Sequence, residues 1–253
     1  MEIIFTHIAK EVFETIRRPL LRCTAGAVSP SAQALITQMK KVGYAVVDEY
    51  WTKDKCDRAM KEIDRLCMTL GLAGSWVDDQ QSDHRFFRAE QHAPCLTEFR
   101  DHPFFDEVRR GYTGRRTADK FVLAARLEHK KGNKGSGGGW HMDSPHSRQF
   151  KVIVYLSDVT DDNGPFQLLP KTHKRNVLSW LMVNGMRSPG QYRFTDEEEA
   201  LIEKFVGQPK HFTARKGTAI FVDVTALHRG MPILAGSRYA LTLYCGDPKN
   251  KSD

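Results

Sequence analysis

Hydrophobic positions in the first half of the chain recur three or four residues apart, which predicts helices. One helix is predicted to begin at Ser29 and Pro30, an N-cap followed by proline, and to end at Gly43. Residues 43–50 then predict a short buried strand. A second helix is predicted to begin at Thr52; its apolar face comprises Cys56, Met60, Ile63, Leu66, Cys67 and Leu70.

From about residue 119 the pattern changes to short runs of Val, Ile, Phe, Tyr and Leu between turn residues. Strands are predicted at 120–129, 149–157, 210–214, 217–223 and 238–245. A capping box, Thr195 to Glu198, predicts one helix inserted among them. We therefore expect an α+β, mainly β protein whose helices support one side of an antiparallel sandwich or jelly roll.

This pattern predicts a single domain over residues 1–253. Its N-terminal helical support would span about 1–118 and its jelly-roll core about 119–246. The composition agrees, since 40% hydrophobic and 27% charged residues are typical of a folded globular protein.

The same sequence contains no apolar run of the ~20 residues that a membrane-spanning helix needs. Its five cysteines are scattered, with no C-x-x-C pair, so we expect a cytoplasmic protein without a disulfide framework. The net charge is +7, but the basic residues are dispersed. We therefore expect an anionic small-molecule partner rather than nucleic acid.

Candidate chemistry is concentrated in residues 135–150, "GSGGGWHMDSPHSRQF". His141 and Asp143 are two residues apart, so on a strand both side chains lie on one face and Met142 on the other. A nitrogen and an oxygen ligand together suit iron(II), manganese(II) or zinc. A metal site needs a third ligand, and the candidates are His129, His146, His173, His211 and His228.

His228 is favoured because it lies between two apolar strands, ten residues before Arg238. His146 follows Pro145, which interrupts the strand, so we expect it at the rim of the site or on the surface. Two histidines and one carboxylate form the facial triad typical of non-haem iron(II) oxygenases. A buried guanidinium requires an anion, so Arg238 is a candidate to bind the distal carboxylate of 2-oxoglutarate.

Three segments, "WHMDSP", "VIVYLSDVTDDNGPFQLLPKTHK" and "LHRGMPILAGSRYALTLY", resemble the phytanoyl-CoA dioxygenase family of Fe(II)- and 2-oxoglutarate-dependent oxygenases. The resemblance covers roughly residues 120–246. It implies a double-stranded β-helix, a cupin-like jelly roll, that uses Fe(II), 2-oxoglutarate and O2 to hydroxylate an unactivated C–H bond, releasing succinate and CO2. Nothing in the chain suggests an acyl-CoA pocket, so the family name does not identify the substrate.

Site roles follow from the resemblance position by position. It implies that His141, Asp143 and His228 bind iron and that Arg238 binds the C5 carboxylate of 2-oxoglutarate. The carboxylate at Asp143 argues against the halogenase variant of this chemistry. Further cosubstrate positions are Tyr155, Thr242, on the same strand face as Arg238, and Arg126 or Glu128 on the preceding strand.

The substrate is predicted from basic residues around the site. We expect an anionic sugar, glycolipid headgroup or specialised metabolite, contacted by Arg148, Lys151 and Arg88, with a basic rim that also includes Arg85 and Lys171. The segment "GNKGSGGG" is expected to form a mobile flap over the metal. Two alternatives stay open: a non-catalytic jelly-roll binding protein, and a metal-dependent hydrolase using His141, Asp143 and His146.

Overall fold

A computed structural model describes residues 27–70, 75–143, 149–188 and 190–246. Within these ranges no helix combines the length and apolar character required to cross a bilayer. The helices are α1 Pro30–Val42, α2 Lys53–Thr69, α3 Thr97–Arg100, α4 Pro103–Thr113, α5 Arg175–Val183 and α6 Asp196–Val206. The strands are β1 Tyr44–Val47, β2 Trp76–Val77, β3 Asp83–Phe87, β4 Asp119–Glu128, β5 Phe150–Tyr155, β6 Phe166–Leu168, β7 Lys210–His211, β8 Ala219–Asp223, β9 His228–Gly230 and β10 Ser237–Gly246.

Helix ends follow the capping residues that the sequence predicted. The Ser29 side chain accepts a hydrogen bond from the backbone N–H of Ala32, and Gly43 ends α1 in the left-handed conformation, at φ 98°. The capping box is confirmed at the start of α6, where Thr195 and Glu198 each accept a hydrogen bond from the other's backbone N–H.

Two antiparallel sheets form the β core. In the described residues the larger sheet has the strand order β1-β8-β5-β10-β4-β3-β2, and the smaller has the order β7-β6-β9. The jelly roll is thus confirmed. The larger sheet also includes β1, β2 and β3, which precede residue 118 and so lie in the part of the chain predicted as helical support.

The strands of the larger sheet alternate between two environments, because successive side chains point to opposite faces. On β5, Phe150, Val152 and Val154 pack in the core shared with the helices. The residues between them, such as Ile153 and Tyr155, face the smaller sheet. The position of a side chain in this alternation therefore decides whether it enters the space between the sheets.

Candidate metal centre

Two histidines from distant parts of the chain meet at the open edge of the smaller sheet. The backbone N–H of His141 donates to the carbonyl of His228, and the N–H of His228 donates to the carbonyl of His141, both at 2.9 Å. This pair of hydrogen bonds brings the centroids of the two imidazole rings to 4.3 Å.

Hydrogen bonds set the orientation of both rings. Nδ1 of His141 lies 2.9 Å from the carbonyl of Gly139, and Nδ1 of His228 lies 2.8 Å from the carbonyl of Ala226. A carbonyl only accepts, so each Nδ1 carries the proton and each Nε2 presents its lone pair. Burial and the neighbouring His228 lower the pKa of His141, which favours its neutral form.

Asp143 completes the cluster. Its Oδ1 lies 3.5 Å from Nε2 of His141 and 3.5 Å from Nε2 of His228. One ligand atom from each residue lies within 4.8 Å of the others, a group that could hold a metal ion. Burial raises the pKa of Asp143, but an ion pair with Lys151 and the two imidazoles outweigh it and hold the pKa well below its usual value. The donor set is therefore two imidazole nitrogens and one carboxylate.

A buried carboxylate that the sequence analysis missed holds Asp143 in place. Asp223 accepts hydrogen bonds from the backbone N–H of Thr225 at 3.1 Å, its hydroxyl at 2.7 Å, and the Tyr112 hydroxyl at 2.5 Å. These bonds shape the turn after β8, where the carbonyl of Val224 accepts the backbone N–H of Asp143 at 3.0 Å. An Asp two residues before a Thr at a strand end is the available signal for such a turn.

The glycine-rich segment, which the sequence predicted to be a mobile flap, packs tightly against this centre. Close packing, rather than flexibility, therefore explains its glycines. A Cβ on Gly137 would lie 2.2 Å from Cε1 of His141, and one on Gly135 would lie 2.2 Å from the carbonyl oxygen of Gly230. The carbonyl of Ser136 also accepts the N–H of Gly230 at 2.9 Å. These positions require glycine for close approach.

Replacing Gly137 with alanine is expected to weaken Co(II) binding by roughly 10- to 100-fold, the range found when groups that orient metal ligands are altered. The new methyl group would displace the His141 ring. Gly132→Ala is a matched control, since Gly132 also has a positive φ but no atom within 4 Å of a Cβ. Isothermal titration of both variants with Co(II) measures the difference. Equal Co(II) affinities in the two variants would show that Gly137 does not position the His141 ring.

A cavity extends from the histidines between the two sheets. Its wall includes Tyr155, Thr242 and Arg238, all of which face the smaller sheet. Arg238 is only 5% exposed, and within the described part of the chain its Nε and Nη1 have no hydrogen-bond partner. Burial lowers the pKa of this guanidinium. The Tyr155 hydroxyl accepts the N–H of Phe166 at 2.9 Å, which leaves its own proton available.

Two further cations line the same cavity. Lys151 forms an ion pair with Oδ2 of Asp143 and lies 3.6 Å from the centroid of the Tyr244 ring. Arg85 donates to Asp83 and to the Ser136 hydroxyl and lies over the Trp76 ring. Lys151 is therefore inside the cavity, beside a candidate metal ligand, rather than on the rim where the sequence analysis placed it.

Other predicted site residues lie elsewhere. Arg126 is on the helix-facing side of β4, hydrogen-bonded to Asp64 and Glu128, because its neighbours Ala125 and Leu127 take the cavity side. Arg88 is exposed and pairs with Asp119 at 3.1 Å. Lys171 occupies a tight turn at φ 71°. Arg148 and His146 lie outside the described residues.

The remaining histidine candidates do not join the centre. Nδ1 of His129 lies 2.9 Å from the carbonyl of Ile233, and His211 is exposed beside Asp161. His173 is buried against Gly43 and the carbonyl of Lys40. Of the candidates in the described residues, His228 alone lies in the cluster with His141 and Asp143.

The sequence of this chain matches a family model and is similar to known proteins. Residues 39–238 match the family model described as phytanoyl-CoA dioxygenase (PhyH). Ectoine dioxygenase of Stutzerimonas stutzeri (strain A1501) is 22% identical over 232 residues, which cover 79% of this chain and 71% of that protein.

Solved structures share the fold at low identity. The epimerase SnoN, in complex with Fe3+, alpha ketoglutarate and nogalamycin RO, superposes with a TM-score of 0.64 and 14% identity, covering 88% of this chain and 92% of SnoN. HygX of Streptomyces hygroscopicus, with nickel, 2-oxoglutarate and hygromycin B bound, gives a TM-score of 0.61 and 12% identity, covering 86% and 88%.

Proposed function

Because this chain belongs to the phytanoyl-CoA dioxygenase family, we propose that it is an Fe(II)- and 2-oxoglutarate-dependent dioxygenase that hydroxylates an unactivated C–H bond of a small anionic molecule. The observation that carries the proposal is the convergence of two imidazole Nε2 atoms and one carboxylate oxygen on a cavity that also contains a buried guanidinium, whose Nε and Nη1 have no hydrogen-bond partner among the described residues. We retain a single domain and a cytoplasmic location as predictions from the sequence.

The residues present fit iron. Two neutral imidazoles and a carboxylate are the donors of the 2-His-1-carboxylate triad, which leaves coordination positions open on an iron(II) centre. In our proposal His141, Asp143 and His228 bind the metal. When bound, iron(II) and 2-oxoglutarate would supply the electrons that activate O2 as the oxidant, with succinate and CO2 as the products of the cosubstrate.

The residues also fit 2-oxoglutarate. Arg238 is buried, and two of its donor nitrogens have no acceptor among the described residues, which is costly unless an anion pairs with them. A guanidinium binds a carboxylate through two parallel hydrogen bonds. We assign Arg238 to the distal carboxylate of the cosubstrate, with the hydroxyls of Tyr155 and Thr242 on the same wall as further donors.

The substrate is proposed to be anionic because, besides Arg238, the described cavity wall carries two further cations, Arg85 and Lys151. An anionic sugar, glycolipid headgroup or specialised metabolite has the matching charge. Of the predicted substrate contacts, Lys151 lines the cavity and Arg88 lies on the exposed surface. Arg148 stays a prediction.

Anaerobic titration of the protein with Fe(II) and 2-oxoglutarate tests the function. The expected result is a weak visible charge-transfer band that saturates at one equivalent of metal. Circular dichroism of the same sample must show folded protein. A folded protein that develops no band would contradict the proposal. Succinate release in the presence of carboxylated, phosphorylated and neutral small molecules then identifies the substrate class.

A further inference from the structure

We propose that Lys151 is a positioning residue that holds one oxygen of the Asp143 carboxylate, Oδ2, so that Asp143 presents only the other oxygen, Oδ1, to the metal. This inference rests on the proposed function, because it concerns the coordination positions that the protein leaves open for 2-oxoglutarate and O2. The different partners of the two carboxylate oxygens carry it.

The two oxygens of Asp143 face in different directions. Oδ1 lies 3.5 Å from Nε2 of His141 and 3.5 Å from Nε2 of His228, so it faces the point where the three ligand atoms converge. Oδ2 forms the ion pair with the ammonium of Lys151. An oxygen already paired with a buried ammonium is less available to a metal, because breaking that pair leaves a buried charge without its partner. Asp143 is therefore oriented to bind through Oδ1 alone.

The ammonium of Lys151 is held from a second side by an aromatic ring. Lys151 on β5 is the cross-strand partner of Tyr244 on β10, so the two side chains lie on the same face of the larger sheet. Nζ lies 3.6 Å from the centroid of the Tyr244 ring, within the range of a cation–π interaction. The Lys151 side chain is only 7% exposed. A buried ammonium between a ring and a carboxylate has little freedom to leave Oδ2.

The backbone fixes Asp143 and Lys151 relative to each other. The carbonyl of Val224 accepts the N–H of Asp143 at 3.0 Å, and the N–H of Val224 donates to the carbonyl of Gln149, two residues before Lys151, at 2.9 Å. Lys151 itself pairs with Val222 in the register between β5 and β8. Both residues are thus anchored at the same end of β8, which keeps the carboxylate and the ammonium together.

The number of Asp143 oxygens on the metal matters for the proposed reaction. A carboxylate binds a metal ion through one oxygen or through both, and in the second case it occupies an additional coordination position. The 2-His-1-carboxylate triad serves oxygenases because it leaves positions open. By holding Oδ2, Lys151 keeps one of those positions available for the cosubstrate or O2, while its charge still contributes to the positive potential of the cavity.

Two substitutions in the full-length protein separate the hydrogen bond to Oδ2 from the charge of Lys151. Lys151→Met and Lys151→Gln both remove the positive charge, but only glutamine retains N–H groups that can donate to Oδ2. Crystal structures with Co(II) show how many Asp143 oxygens bind the metal. We expect Oδ1 alone in the wild type and in Lys151→Gln, and both oxygens in Lys151→Met.

Anaerobic titration of the Fe(II)-loaded variants with 2-oxoglutarate, followed by the charge-transfer band, measures the consequence. The affinity of Lys151→Met should be roughly 10- to 100-fold weaker than that of Lys151→Gln, the equivalent of one hydrogen bond to a charged group. The reason is that in Lys151→Met Oδ2 must leave the metal with no side-chain donor at position 151 to receive it.

Lys120→Met is the matched control. Lys120 is another ion-paired lysine on a strand of the larger sheet, but its partners are Asp101 at 3.6 Å and Asp106 at 3.7 Å. The 2-oxoglutarate affinity of Lys120→Met should equal the wild type's.

Three results would each overturn this inference alone: two Asp143 oxygens on Co(II) in the wild type, a single one in Lys151→Met, or equal 2-oxoglutarate affinities in Lys151→Met and Lys151→Gln. Lys151→Leu replaces Lys151→Met in both measurements if the methionine variant does not fold. If the folded wild type develops no charge-transfer band, the proposed function fails and this inference fails with it.

Discussion

Replacing Arg238 with methionine is expected to weaken 2-oxoglutarate binding by roughly 30-fold or more, since truncating one partner of a buried charge pair costs about 2–5 kcal/mol. Without cosubstrate the same variant should be no less stable than the wild type. The reason is that Arg238 is a buried cation with two nitrogens that no described residue satisfies, and methionine removes that cost while filling much of the volume. If Arg238 binds an anion, Arg238→Met should therefore weaken 2-oxoglutarate binding without lowering the stability of the cosubstrate-free protein.

Thermal unfolding with and without 2-oxoglutarate measures both effects, because a ligand that binds only the folded state raises Tm. Arg126→Met is the matched control. Arg126 was a cosubstrate candidate from the sequence, but it pairs with Asp64 on the helix-facing side of β4. Its cosubstrate affinity should equal the wild type's. If Arg126→Met and Arg238→Met lost the same affinity, the assignment of Arg238 would be wrong.

Replacing His228 with alanine is expected to weaken Fe(II) or Co(II) binding by more than about 100-fold. Changing the partners of a metal ligand already costs roughly 10- to 100-fold, and His228 would be a ligand itself. His228 is buried, and its Nε2 lies 3.5 Å from Oδ1 of Asp143, so no other described side chain can replace it in the cluster. Metal titration followed by isothermal calorimetry, or by the Co(II) visible spectrum, measures the loss.

This variant separates the proposed oxygenase from the alternative hydrolase. A site made of His141, Asp143 and His146 would keep its metal when His228 is removed. His211→Ala provides the control, since His211 is exposed beside Asp161 and lies outside the cluster. Retained metal affinity in His228→Ala would favour the hydrolase and contradict the oxygenase.

Local sequence patterns predicted the elements well because their causes are local. Helix α1 begins at a Ser and a Pro and ends at a Gly, and capping acts within one turn. The sequence predicted no strand at β2, β3, β6 or β9. The strands that it did predict agree within a few residues, except that the one predicted at 210–214 is reduced to Lys210–His211. Within the described parts of the chain that strand pairs only with the short β6, so its length depends on a partner distant in the chain.

Candidate site residues could be predicted where the residue type suits metal or anion binding and the two-residue alternation of side chains along a strand places them on one face. His141 and Asp143, two residues apart, bring their ligand atoms together with His228, and Thr242 shares the cavity wall with Arg238, four residues before it. The same rule separates Arg126 from the cavity, since it alternates with Ala125 and Leu127. The sequence alone could not tell which of the two faces of β4 is turned toward the cavity.

The chain's own residue order thus sets the helix ends, the strand periodicity, the set of candidate metal ligands and the resemblance to the family. Tertiary packing selects His228 among the histidines, pairs Lys151 with Asp143, and places Asp223 beneath the turn that holds Asp143. Periodicity and capping are properties of a few neighbouring residues, whereas a metal site or a buried ion pair depends on the register between strands that are far apart in the chain. That register exists only once the two sheets and the helices have packed together.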